Sequence, residues 1–167
     1  ECLTFLVSGT DGYSCTGNYR TMEEALDKIP HDMPDIVLSD IGLPGMSGIE
    51  GVRVLKQRYP DLLLLMLTVH DDDERIFDAM CAGASGYLLK KTPPARLLDS
   101  LKEAVAGGAP MSPEVARRVI ALFRDATGLA PKRLERVLRF QRVGDASWIV
   151  SPLGTLALAV EAADPER

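Results

Sequence analysis

Two runs constrain the fold of this chain more than any other feature: Asp35-Ile-Val-Leu-Ser-Asp-Ile41 and Leu62 to Val69. Both are apolar at successive positions, not at alternate ones. A strand with one wet face alternates; a strand covered on both faces does not, and such strands belong to parallel sheets held between layers of helix. A shorter third run, Gly86-Tyr-Leu-Leu-Lys90, reads the same way. Helical patterns lie between them. Ile49, Val52, Leu55 and Tyr59 form one stripe, ended by Pro60. Ile76, Phe77, Met80 and Cys81 form another behind the acidic run Asp71 to Glu74, which suits a helix N-terminus, and Gly83 stops it. A third follows Pro93-Pro94, with Leu97, Leu98, Leu101 and Val105 on one face. Upstream, Thr21-Met-Glu-Glu24 is a capping box opening a helix over Met22 to Ile29, and Tyr13 to Arg20 reads as an edge strand. This alternation predicts an α/β fold with a doubly wound parallel sheet.

In such a sheet the functional crevice lies at the carboxyl ends of the strands. Asp40, Thr68 and Lys90 sit at those ends. A carboxylate, a hydroxyl and an ammonium group converging there suit phosphoryl transfer, with the carboxylate as nucleophile and the other two holding phosphoryl oxygens. Taken singly, each has a structural reading: a strand-end cap, a β-favouring residue, a surface charge. His70 reads as a loop residue and His31 is isolated, so no His or Cys cluster points to a metal.

The segment Asp40-Ile-Gly-Leu-Pro-Gly-Met-Ser-Gly48 resembles the phosphoacceptor loop of response-regulator receiver domains, with Pro44 and Gly48 in the family's places. Thr68 matches the family's hydroxyl residue, and Ala82-Gly-Ala-Ser-Gly-Tyr-Leu-Leu-Lys90 resembles its run into the fifth strand. The spacing is most similar to receivers of the NarL/LuxR type. The resemblance implies a flavodoxin-like fold, Asp40 as phosphoacceptor, Thr68 and Lys90 as phosphoryl-binding groups, and Tyr87 as the switch aromatic. Simple packing is an equal reading of Tyr87. It further implies a non-enzymatic, cytoplasmic regulator of transcription that receives its phosphate from a sensor histidine kinase. A homodimer would form through the face the family labels α4-β5-α5, made here by the helix after Asp71–Glu74, the Gly86–Lys90 strand and the helix after Pro93-Pro94. The rival expectation is a degenerate receiver that works as a phosphorylation-independent protein-interaction module. A free-standing phosphotransferase or hydrolase is the weakest reading, since no second carboxylate follows Asp40 closely and no glycine-rich nucleotide loop is seen.

The family also carries an acidic pair at the end of its first strand, and counting back from Asp40 runs off the start of the chain. Glu1 to Gly9 resembles the end of the family's first helix, and Glu1 is a candidate truncation point. Of the implied Mg²⁺ ligands, Asp40 and the Gly42 carbonyl remain. Mg²⁺ demands near-octahedral oxygen coordination, so weak or absent binding is expected. The family strand order 2-1-3-4-5 places the absent strand centrally, leaving its neighbours unpaired. Either Leu3-Thr-Phe-Leu-Val7 turns from helix to strand and fills the gap, or a second chain does.

Beyond Gly108 the pattern reads as helices only. Ser112-Pro113 opens one to about Arg124, Ala126 to Pro131 is a loop, Lys132 to Arg142 is amphipathic, and Leu153 to Ala163 is a last short helix after an irregular Gly144 to Pro152. Gly128 to Arg142 resembles the linker helix between the two helix-turn-helix units of AraC-type regulators, and Leu153 to Ala163 resembles the first helix of their second unit. The expected division is a receiver-like domain over 1–108, a linker helix over 109–126, and a partial helical region over 127–167. Between Glu114 and Arg142, eight basic residues oppose three acids, a balance of +5 in a chain whose net charge is −5. Lys132, Arg133, Arg136 and Arg139 are the candidate DNA contacts, restricted to phosphates because no recognition helix follows. The alternative is a solvated helix face. Three widely spaced cysteines suit a reducing cytoplasm rather than a disulfide framework, and no run is long enough to span a membrane.

Overall fold

The computed structural model describes residues 2–127, 147–149 and 157–161. Helix α1 (Cys2–Ser8) leads into β1 (Ser14–Tyr19), then α2 (Met22–Lys28) with a 3₁₀ turn at Ile29–His31, and β2 (Ile36–Ser39). Next come α3 (Gly48–Arg58), β3 (Leu63–Thr68), α4 (Asp73–Ala82), β4 (Gly86–Leu89), α5 (Pro94–Val105) and α6 (Pro113–Thr127). Two short strands follow, β5 (Ser147–Ile149) and β6 (Ala157–Glu161). β4 is thus the strand that the family numbers fifth.

The unbroken apolar runs behave as their pattern demands. Every residue of β2, β3 and β4 is buried. The three strands are parallel, with Val37 opposite Leu64 and Met66 opposite Tyr87. Their side chains divide between two cores. One face packs Val37, Leu64, Met66, Tyr87 and Leu89 against α2, α3, α4 and α6; the other packs Ile36, Leu38, Leu65 and Leu88 against Val7 of α1 and Leu97, Leu101 and Ala104 of α5. Both faces being dry removes the alternation that a half-exposed strand would show.

Helix ends follow local chemistry. Thr21 accepts the Glu24 amide at the start of α2, but the Glu24 carboxylate takes the Arg20 amide, at 3.3 Å, one residue short of a reciprocal box. Ser47 and Glu50 form the full box at α3. Asp72 caps α4, and Gly83 closes it at φ 103°, a left-handed conformation that side chains with a Cβ rarely adopt.

The sheet runs β1-β5-β6-β2-β3-β4, which leaves β1 at the edge as its sequence reads. Its middle differs from both routes expected at the β2 edge. Leu3 to Val7 stays helical in α1. The free edge of β2 is taken instead by β6, antiparallel, with Ile36 opposite Val160 and Leu38 opposite Leu158; β6 also pairs antiparallel with β1 and β5. The expectation of a helical C-terminal region over Leu153 to Ala163 is therefore corrected, and so is the irregular reading of Gly144 to Pro152, which contains β5. A short apolar run does not choose between helix and strand by itself. The buried, otherwise unpaired backbone of β2 supplies the partner that decides it. The likeness to an AraC-type helix-turn-helix unit falls with that helix. The amphipathic segment Lys132 to Arg142 lies outside the described residues.

Helix α6 extends slightly past its expected end, as far as Thr127, and packs against the body through Val115 and Val119, each 1% exposed. Among the described residues no helix is long and apolar enough to cross a membrane.

Candidate functional site

The carboxyl ends of β2, β3 and β4 lie side by side, and each delivers one of the residues singled out by chemistry. Asp40 follows β2, Thr68 closes β3 and Lys90 follows β4. The Lys90 ammonium contacts Asp40 Oδ2 directly, and both groups are largely sheltered, Asp40 being 8% exposed. The register that brings them together is visible in the backbone, where the Lys90 amide donates to the Thr68 carbonyl at 2.8 Å. Burial sets this contact apart from a surface pair: in a low-dielectric crevice an ion pair is more costly to break from one side.

The loop after Asp40 folds back on the strand end. The Leu43 and Gly48 amides both donate to the Ile41 carbonyl, at 3.0 and 3.2 Å, and the Gly42 amide donates to Asp40 Oδ1 at 3.4 Å. Gly48 is required here by close approach, because a Cβ on it would sit 1.7 Å from the Asp40 carbonyl oxygen. From outside, the Glu23 carboxylate of α2 accepts the Met46 amide at 2.8 Å.

Thr68 is fully buried, and its Oγ1 accepts the His70 amide at 3.3 Å. The His70 carbonyl accepts the Tyr87 hydroxyl at 2.8 Å. Thr68 and Tyr87 thus meet through one intervening residue. Tyr87 is 0% exposed, and burial, reinforced by the Asp72 charge, pushes its phenol well above the usual range. It is both packed in the core and hydrogen-bonded to the segment after Thr68.

Receiver domains generally bind Mg²⁺. At this crevice the Asp40 carboxylate oxygens meet the Lys90 ammonium and the Gly42 amide. Among the described residues no group of three or more His, Cys, Asp or Glu side chains is set to hold a metal ion.

Sequence reasoning singled out Asp40, Thr68, Lys90, Gly42 and Tyr87; the fold sets the first four at adjoining strand ends, and the Tyr87 hydroxyl reaches the His70 carbonyl just past β3. It missed Glu23, Ser47 and Glu50 around the loop after Asp40, although Ser47-Gly-Ile-Glu50 is itself a capping signature. It also missed Arg118 of α6, whose guanidinium donates to the Asp71 carbonyl and lies 3.5 Å from the Asp73 carboxylate. Lys132, Arg133, Arg136 and Arg139 lie outside the described residues.

Comparison with known proteins agrees with this architecture. The Response regulator receiver domain family matches residues 2–102. The transcriptional regulatory protein DegU of Brevibacillus brevis is 38% identical over 102 residues, covering 61% of this chain and 43% of its own length. The DNA-binding transcriptional activator DevR/DosR of Mycobacterium tuberculosis is 36% identical over 110 residues, covering 66% and 51%. The chain thus spans about half the length of the curated relatives it matches. Among solved structures, a LuxR-family two-component response regulator from Aurantimonas aligns at a TM-score of 0.57 with 35% identity, covering 63% of this chain and 74% of that one. The isolated receiver domain of RcsB from Salmonella enterica, at 20% identity and a TM-score of 0.54, shares the fold. With three strand ends delivering their groups to one crevice and a family match over most of the described residues, the chain belongs to the response regulator receiver domain family.

Proposed function

We propose that Asp40 accepts a phosphoryl group from a sensor histidine kinase, and that the chain is the receiver part of a regulator of transcription. The observation that carries this reading is the contact of the Lys90 ammonium with the buried Asp40 carboxylate at adjoining strand ends. In the transfer, an Asp40 carboxylate oxygen bonds to phosphorus as the bond from phosphorus to the donor's imidazole nitrogen breaks. The donor keeps the electron pair and takes up a proton. Lys90 and the Thr68 hydroxyl hold the phosphoryl oxygens. Tyr87 couples the segment after Thr68 to β4.

The same reading includes impairment. A cation at the crevice would neutralise charge on the transferring group, and the short oxygen set around Asp40 makes its binding weak. Incubation with acetyl phosphate and Mg²⁺, followed by intact-mass measurement, tests both parts. A minor, Asp40-dependent phosphate adduct is expected; full conversion overturns the impairment, and an adduct that survives Asp40→Asn overturns the acceptor. The short donor set also favours a second reading, in which a degenerate receiver works by protein contact alone, and complete absence of an adduct selects it.

In this proposal the receiver occupies 1–108, residues 109–126 link it onward, and 127–167 form the remainder. The α4–β4–α5 surface, the family's α4-β5-α5 face, is the proposed homodimer face, although α6 covers its α4 side through Val115 and Val119. Lys132, Arg133, Arg136 and Arg139 are proposed to touch DNA phosphates without reading sequence. Retention on duplex DNA is expected to fall steeply with salt, and sequence preference at physiological salt would overturn this.

A further inference from the structure

We propose that Arg118, on α6, is a positioning residue for the acceptor site, acting through residues 69–73, so that docking of α6 and occupancy of Asp40 are linked. This rests on the reading of Asp40 as phosphoacceptor. The segment joining β3 to α4 is not pinned by apolar burial, since Val69 at its start is 69% exposed. Polar ties fix it instead. The His70 amide donates to Thr68 Oγ1, the His70 carbonyl accepts the Tyr87 hydroxyl, and the next carbonyl, that of Asp71, accepts the Arg118 guanidinium. Two consecutive carbonyls are therefore held by side chains from two different elements, β4 and α6. Arg118 also reaches the Asp73 carboxylate at 3.5 Å. That pair is about half exposed and contributes little by charge alone; the Nη1 donation to the Asp71 carbonyl is what fixes the backbone.

The placement of Arg118 is set by packing. Val115 and Val119 on the same helix are buried, and the Phe123 ring lies 5.3 Å from that of Phe77 on α4. The root of α6 is tied to the same switch residue, because the Tyr87 amide donates to the Pro110 carbonyl at 3.0 Å. Tyr87 thus grips the segment after Thr68 with its hydroxyl and the lead-in to α6 with its backbone. A phosphoryl group that draws on the Thr68 hydroxyl shifts the carbonyls Arg118 holds. By linkage, loosening Arg118 must alter the site by the same free energy.

Amide hydrogen exchange read by NMR on the full chain tests this. Arg118→Ala is expected to speed exchange over residues 69–73 about fivefold or more. Arg118→Lys should fall between, and Arg117→Ala, on the exposed side of α6, should do nothing. Protection over α5 should stay unchanged. Reciprocally, Thr68→Ala should speed exchange over 113–125 by a similar factor. If Arg118→Ala frays 113–125 yet leaves 69–73 untouched, or matches Arg117→Ala, the proposal is overturned. Should Arg118→Ala lower protection everywhere, Arg118→Lys decides by the same criterion. Beryllofluoride with Mg²⁺, raised until residues 40–48 respond, separates the underlying reading: a response that persists in Asp40→Asn sinks the acceptor assignment alone. If 40–48 respond but 113–125 do not, the linkage fails alone.

Discussion

Tyr87 shows how much a single residue can tie together at the site, since its ring fills the core, its hydroxyl reaches the His70 carbonyl and its amide reaches Pro110. In the unfolded chain the phenol ionises near about pH 10, whereas in the fold burial raises that pKa. The raised group contributes stability that is fully present below about pH 10 and is lost as pH rises toward the folded pKa. Tyr87→Phe is therefore expected to cost about 1 kcal/mol at neutral pH, from the lost hydrogen bond, and to flatten the alkaline decline. Urea midpoints at neutral and strongly alkaline pH measure both effects. Gly48→Ala is expected to displace the acceptor loop, because its Cβ would lie 1.7 Å from a backbone oxygen; thermal melting should show a loss of about 2 kcal/mol or more. Asp40, Thr68 and Lys90 were legible in the sequence because strand ends and side-chain chemistry are both local properties. Glu23 and Arg118 were not, since each acts on a backbone group of a different element and leaves no pattern along its own.

Among the elements, α6 offers the sharpest contrast. Val119 is buried and the next residue, Ile120, is 37% exposed. Val119→Ala should cost about 2 kcal/mol, while Ile120→Ala should stay within about 0.5 kcal/mol, both read from chemical denaturation. At α3, Ser47→Ala removes a reciprocal cap and should cost about 1 kcal/mol on the same measurement. The helices and the three parallel strands were readable because period and caps agree. The sixth strand was not. Leucine and alanine in Leu153 to Ala163 favour helix by local preference, and only the exposed edge of β2, more than a hundred positions away, turns Ala157–Glu161 into a strand.

For the whole molecule, the sheet is joined across its middle by pairing residues 36–38 with residues 158–160. Ala159→Pro removes an amide from an interior strand and is expected to lower the melting temperature of the entire fold rather than of the C-terminal part alone. The pairing also sets a timetable. Here the half of the sheet from β2 to β4 is on hand early, while its uncovered β2 edge must wait until residue 161 has been made. Contacts across so long a stretch of chain close slowly, and an apolar strand edge left open in the meantime is prone to aggregation. Production of this chain should therefore depend on chaperones until residues 158–160 have been made and paired.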